Sequence, residues 1–62
     1  MKSYSSRDII KMIKTEGWEL VRIEGSHHIF RHKVRKGIVT VPHPRNDFPV
    51  KTAKSILKQA GL

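Results

Sequence analysis

Four histidines in 62 residues, His27, His28, His32 and His43, are the side chains of this chain best suited to chemistry. An imidazole with an unperturbed pKa of about 6.5 takes or gives a proton at neutral pH. His27 is the sharpest candidate. It follows Gly25-Ser26, which reads as a tight turn, and so stands at the first position of a strand. Gly25 lets another backbone approach closely, and Ser26 can hydrogen-bond a neighbour. On composition alone, a lone histidine of this kind is more often structural than catalytic. His43 lies in Pro42-His43-Pro44, where two prolines stiffen the backbone into an extended path. Held there, it would contact a phosphate or a base, or else serve as a hydrogen-bonded plug between helix and sheet.

The histidine spacing does not favour a metal. In a strand, His28 and His32 share a face but stand about 13 Å apart, at about 3.3 Å per residue, and His27 and His28 point to opposite faces. No metal or other cofactor is expected. There is no Cys to act as nucleophile or ligand, and Asp8, Glu16, Glu19, Glu24 and Asp47 offer no obvious carboxylate pair. No Gly-rich phosphate loop is present, which argues against nucleotide hydrolysis. An enzyme built from this inventory needs a reaction that asks little of it. RNA cleavage qualifies, because the substrate carries its own nucleophile, the ribose 2′-hydroxyl. The protein need only remove that proton, hold the phosphate beside cations and help protonate the leaving oxygen. DNA lacks the hydroxyl and would be spared.

Charge points the same way. Thirteen Lys and Arg against five Asp and Glu give a formal charge of +8. Lys33, Arg35 and Lys36 crowd one connection, Arg31 and Arg45 flank it, and Lys51, Lys54 and Lys58 form a later stripe. Exposed lysines keep any small domain in solution, but this excess predicts a polyanionic partner. Nucleic acid is the first choice and an acidic protein the second. Phosphate contacts of this kind make affinity fall steeply with salt.

The elements that position these residues can be read from the hydrophobic spacing. A chain this short forms one domain, residues 1–62, and buries only about 60% of its unfolded surface. Without Cys, apolar packing alone must hold it. No apolar run reaches the length of a membrane span, and Met1 to Asp8 is polar, unlike a signal peptide; a cytoplasmic protein is expected. Ile9, Ile10, Met12 and Ile13 predict a helix from about Ser6 to Glu16, capped by Ser5 or Ser6 and ended by Gly17. Trp18 to Glu24 reads as a strand, although the adjacent Leu20 and Val21 leave its buried face ambiguous. His27 to His32 is a second strand, with His28, Phe30 and His32 on one face and His27, Ile29 and Arg31 on the other. Ile38 to Val41 is a third, ended by Pro42. Val50, Ala53, Ile56, Leu57 and Ala60 mark a second helix from about Pro49. The predicted order is α-β-β-β-α: an α+β domain with a three-stranded antiparallel sheet, both helices on one face and the other face open.

Several ordered motifs carry a resemblance. Gly17-Trp18, Arg22, Gly25-Ser26-His27-His28, Phe30-Arg31-His32, Val39-Thr40-Val41-Pro42-His43-Pro44 and the closing Ser55-Ile56-Leu57-Lys58-Gln59-Ala60-Gly61-Leu62 are similar to the HicA toxin family. The resemblance covers nearly the whole chain. It implies a fold like the double-stranded-RNA-binding domain and an mRNA interferase, a toxin that cleaves messenger RNA and arrests translation and growth. It implies a HicB antitoxin that masks the active site. It also implies that His27, in the Gly-Ser-His motif, is the catalytic histidine. Arg31, Lys33, Arg35, Lys36, His43, Arg45, Lys51 and Lys54 are then expected to contact RNA, with His43 a candidate for the second proton-transfer group. The alternative is a non-catalytic RNA-binding module of the same fold.

Overall fold

The computed structural model describes residues 3–62; Met1 and Lys2, part of the polar N-terminal stretch, lie outside the described residues. The elements are α1 (Ser6–Thr15), β1 (Glu19–Glu24), β2 (His27–Arg31), β3 (Ile38–Pro42) and α2 (Val50–Gln59). This is the order that the spacing predicts. The sheet is the expected antiparallel meander, β1-β2-β3.

Local chemistry explains the helix ends. Ser5 is the cap of α1: its backbone is extended and its Oγ accepts the Asp8 N–H at 3.1 Å. Asp8 in the first turn and Lys14 in the last suit the helix dipole. Gly17, at φ +102°, takes the left-handed turn that ends the segment. Pro49 precedes α2, where its missing N–H costs nothing.

The ambiguity in β1 is resolved by a bulge. Leu20 pairs with Phe30 and Arg22 with Ile29, so Val21 is an extra residue between them. Leu20 and Ile23 therefore share the helix-covered face with Phe30 and His28. Arg22 and Glu24 share the opposite face with Ile29 and His27. Pro42, expected to end the third strand after Val41, is itself the last paired residue of β3, opposite His27. An edge strand accommodates it because no ladder N–H is needed on the open side.

Both helices pack on the face that carries Phe30, Val39 and Val41, contributing Ile9 and Ile13 from α1 and Ala53, Ile56 and Leu57 from α2. Trp18 lies just outside β1 and is buried; its indole N–H donates to the Ala60 carbonyl at 3.0 Å, tying the end of α2 to the start of the sheet. Phe48 is a core residue supplied by the β3–α2 connection, held by paired backbone bonds to Tyr4. Tyr4 thus belongs to the fold, although nothing in its sequence context marks it.

This topology gives the domain two ends. At one end meet the β1–β2 turn, the β3–α2 connection and the N-termini of both helices, joined by Ser6 N–H to Arg45 O at 2.7 Å and by the Tyr4–Phe48 pair. At the other lie the β2–β3 connection and the helix C-termini.

Candidate functional site

His27 is the first residue of β2 and follows the Gly25-Ser26 turn, with Gly25 at φ +60°. It is exposed, not enclosed in the core. Its strand neighbours are Glu24 and Pro42. Glu24 is on the same face, directly across the hairpin, and its carboxylate pairs with Arg22 at 2.7 Å. His27 is therefore mounted at the rim of the sheet, on the side away from the helices, where a polymer can reach it.

His28, one residue on, faces the helices and is half-buried. Its ring meets His43 edge to face, 4.8 Å between centroids and 78° between planes. His43 is in turn fixed on several sides. Its N–H donates to Ser26 O at 2.6 Å, and its Nδ1 lies 2.6 Å from Ser6 Oγ. The same Ser6 oxygen accepts the Arg45 N–H at 2.9 Å. His43 is thus the plug between helix and sheet. The Pro42-His43-Pro44 segment bends here rather than running extended, and its His43–Pro44 peptide is cis.

His32 is committed to structure. Its Nε2–H donates to Glu16 O at 2.8 Å, and its Nδ1 accepts the N–H groups of Val34 and Arg35 at 3.0 and 3.1 Å. The ring packs edge-on to Trp18. Both nitrogens are used, which leaves none for proton transfer. It sits in the connection after β2 rather than in the strand. Among the described residues, no three His, Asp or Glu side chains converge.

The cations expected to contact RNA are divided between the two ends. Arg45 is exposed beside His43, with its guanidinium 4.9 Å above the Phe48 ring. Lys51, in the first turn of α2, shares that end, and Lys54 follows one turn on; both are exposed. Lys33, Arg35 and Lys36 are exposed in the β2–β3 connection, at the opposite end from His27. Arg35 lies over Gly61, where a Cβ would meet its guanidinium. Arg31 is exposed near that far end, opposite Glu19 and Ile38. His27 and the Lys33–Lys36 cluster are therefore not one constellation. The structure instead brings Arg7, Lys11 and Lys14 of α1 to the flank occupied by His28 and His43. Their spacing of four and three residues was a visible helical stripe, but it reads equally as a solvated face.

A model of the family described as the HicA toxin of bacterial toxin–antitoxin matches residues 6–62. The chain belongs to the HicA toxin family. The match includes the Ser6 anchor, Gly25-Ser26-His27 and the Pro42-His43-Pro44 segment. Among solved structures, the chain is similar to one in a toxin–antitoxin complex from Streptococcus pneumoniae. The two are 27% identical with a TM-score of 0.78, over 94% of this chain and 97% of that one. No curated protein matches the chain. Among the described residues of this HicA-family domain, no helix is long and apolar enough to cross a membrane.

Proposed function

We propose that this HicA-family domain is a metal-independent endoribonuclease that cleaves messenger RNA, works in the cytoplasm and is neutralised by a HicB-type antitoxin. The observation that carries the reading is the exposure of His27 at the rim of the sheet, at the end shared with Arg45, Lys51 and the two helix N-termini. In this scheme the His27 imidazole takes the proton of a ribose 2′-hydroxyl. The 2′-oxygen attacks the adjacent phosphorus, and the bond from phosphorus to the 5′-oxygen breaks. The products are a 2′,3′-cyclic phosphate and a 5′-hydroxyl, the latter receiving a proton from a second group or from water. Arg45 and Lys51, at the same end of the domain, add the positive field that draws the phosphate backbone to that rim. A group on His27's own face suits proton transfer better than His43, whose ring lies on the helix side with His28. Arg31, Lys33, Arg35, Lys36 and Lys54 hold more distant phosphates of the strand.

An antitoxin partner is supported by the likeness to a chain solved in a toxin–antitoxin complex. The test of the enzyme is direct. Purified parent and His27→Ala proteins are incubated with RNA, with and without a chelator. Cleavage by the parent in both conditions, and its loss in the variant, is expected. Equal cleavage by His27→Ala removes that residue from the mechanism. RNA binding by the parent with no cleavage supports the non-catalytic module instead.

A further inference from the structure

The strand that carries His27 on one face carries His28 on the other, and a groove of about 400 Å³ opens there between α1 and the sheet. Its rim is Arg7, Lys11 and Lys14, one stripe of α1. Its floor is apolar, from the half-buried Ile10 and the half-open Leu20 over the buried Phe30 ring. His28 and His43 complete its lining. Among the described residues, no acidic side chain lines it. The volume falls within the range of small-ligand sites and suits a single nucleotide.

One polar atom at this groove is out of place as pure structure. Nδ1 of His28 is buried and has no hydrogen-bond partner among the described residues. Such an atom lowers stability, and an apolar ring in its place would not. The imidazole therefore secures no part of the fold through a hydrogen bond at Nδ1. What it does provide is a flat polar ring, set against His43, in the wall of a groove rimmed by three cations.

We propose that this groove binds one nucleotide of a single-stranded RNA. The phosphate lies on Arg7, Lys11 and Lys14, and the base lies against His28 and Leu20. Two features select that occupant. The rim complements a phosphate, and an apolar floor beside two imidazole rings complements an unstacked base, the form in which proteins read single strands. Position adds a third. His28 is covalently next to His27, and His43 is hydrogen-bonded to Ser26 of the same turn. A strand crossing the rim of the sheet would place its scissile linkage at His27 and a neighbouring nucleotide in the groove. The inference rests on the RNA reading given above, but its test does not depend on cleavage.

The test uses a nucleoside 5′-monophosphate, which has no phosphodiester to cleave, titrated into the parent protein and followed by NMR. The expected result is saturable shifts in the ring signals of His28 and His43 and in the amides of Lys11 and Lys14, with inorganic phosphate moving only the lysine side. Lys11→Ala/Lys14→Ala, on an exposed helix face, should weaken binding about tenfold or more. Arg22→Ala/Lys58→Ala removes the same charge elsewhere and should change it by no more than about twofold. Equal losses in the two double variants, or shifts confined to the Gly25–His27 turn, would overturn the site, as would an acidic peptide displacing the nucleotide at lower concentration. Groove binding by a protein that fails to cleave RNA would sink the catalytic reading and leave the groove; cleavage without groove shifts would do the reverse.

Discussion

Ser6 Oγ and His43 Nδ1, 37 residues apart in sequence, lie 2.6 Å from each other in the interior of the candidate site. The Ser6 oxygen already accepts the Arg45 N–H, and no second acceptor for its proton is present among the described residues. The hydroxyl therefore donates to Nδ1, and in the neutral His43 ring the proton resides on Nε2. One buried hydroxyl sets both the path of the β3–α2 connection and the orientation of an imidazole.

Ser6→Ala should accordingly be costly. It leaves His43 Nδ1 and the Arg45 N–H without their partner in a place where Ser6 is only 1% exposed. The expected loss is about 1–3 kcal/mol. In a domain of this size each kcal/mol lowers the Tm by about 4–8 °C. Thermal unfolding followed by circular dichroism measures it, and a Tm within a degree of the parent would show that the hydroxyl does not hold the loop.

Gly17 and His32 form a second structural pair, remote from His27. Gly17 sits at φ +102°, and a Cβ there would fall 2.8 Å from His32 Nε2. Gly17→Ala should destabilise the domain by more than about 1 kcal/mol, through backbone strain and displacement of the His32–Glu16 bond. His32→Ala should cost a similar amount by releasing the Val34 and Arg35 N–H groups. For both variants, RNA cleavage per folded molecule should match the parent. A variant that unfolds normally but cleaves poorly would return His32 to the chemistry.

The division of cations between the two ends predicts a dependence on substrate length. β2 is five residues long, so its ends stand about 13 Å apart. A trinucleotide held at His27 does not reach Lys33, Arg35 and Lys36. Replacing all three by Ala should leave cleavage of such a substrate unchanged. On a substrate of a dozen or more nucleotides it should weaken binding and lower the salt slope by about 2, at roughly 0.7 per phosphate contact. Equal loss on both substrates would mean that the connection folds back to the scissile phosphate.

Much of this was legible in the sequence, and the exceptions have physical reasons. The two helices were readable because Ile9 and Ile13, and Ala53, Ile56 and Leu57, repeat at the helical period. β1 was not fully readable, because a bulge at Val21 shifts the alternation by one residue and no local signal separates a bulge from a loosely patterned strand. The turn position of His27 followed from Gly25-Ser26, and its exposure agrees with a rim location. The grouping of His27 with Lys33–Lys36 came from closeness in sequence, whereas a strand separates its two ends by its full length. The Ser6–His43 bond and the meeting of Arg7, Lys11 and Lys14 with His28 depend on long-range packing, which no spacing rule reports. Phe48 was missed because a single aromatic in a Pro-rich connection has no period to reveal it.

His27→Ala separates catalysis from folding in the cleanest way the domain allows. The side chain is exposed, so its removal should change stability by less than about 0.5 kcal/mol. Loss of a positioned proton-transfer group should lower the cleavage rate by about a hundredfold or more. Partner binding through the rest of the surface should persist, since no core contact is lost. The neighbouring His28 makes the natural comparison: its ring is half-buried against His43, so His28→Ala should destabilise measurably. Chemical denaturation and single-turnover cleavage on the two variants decide the matter together. A His27→Ala protein that is both unstable and inactive would place His27 among the residues that hold the turn, and the search for the base would move to the other groups at that end of the sheet.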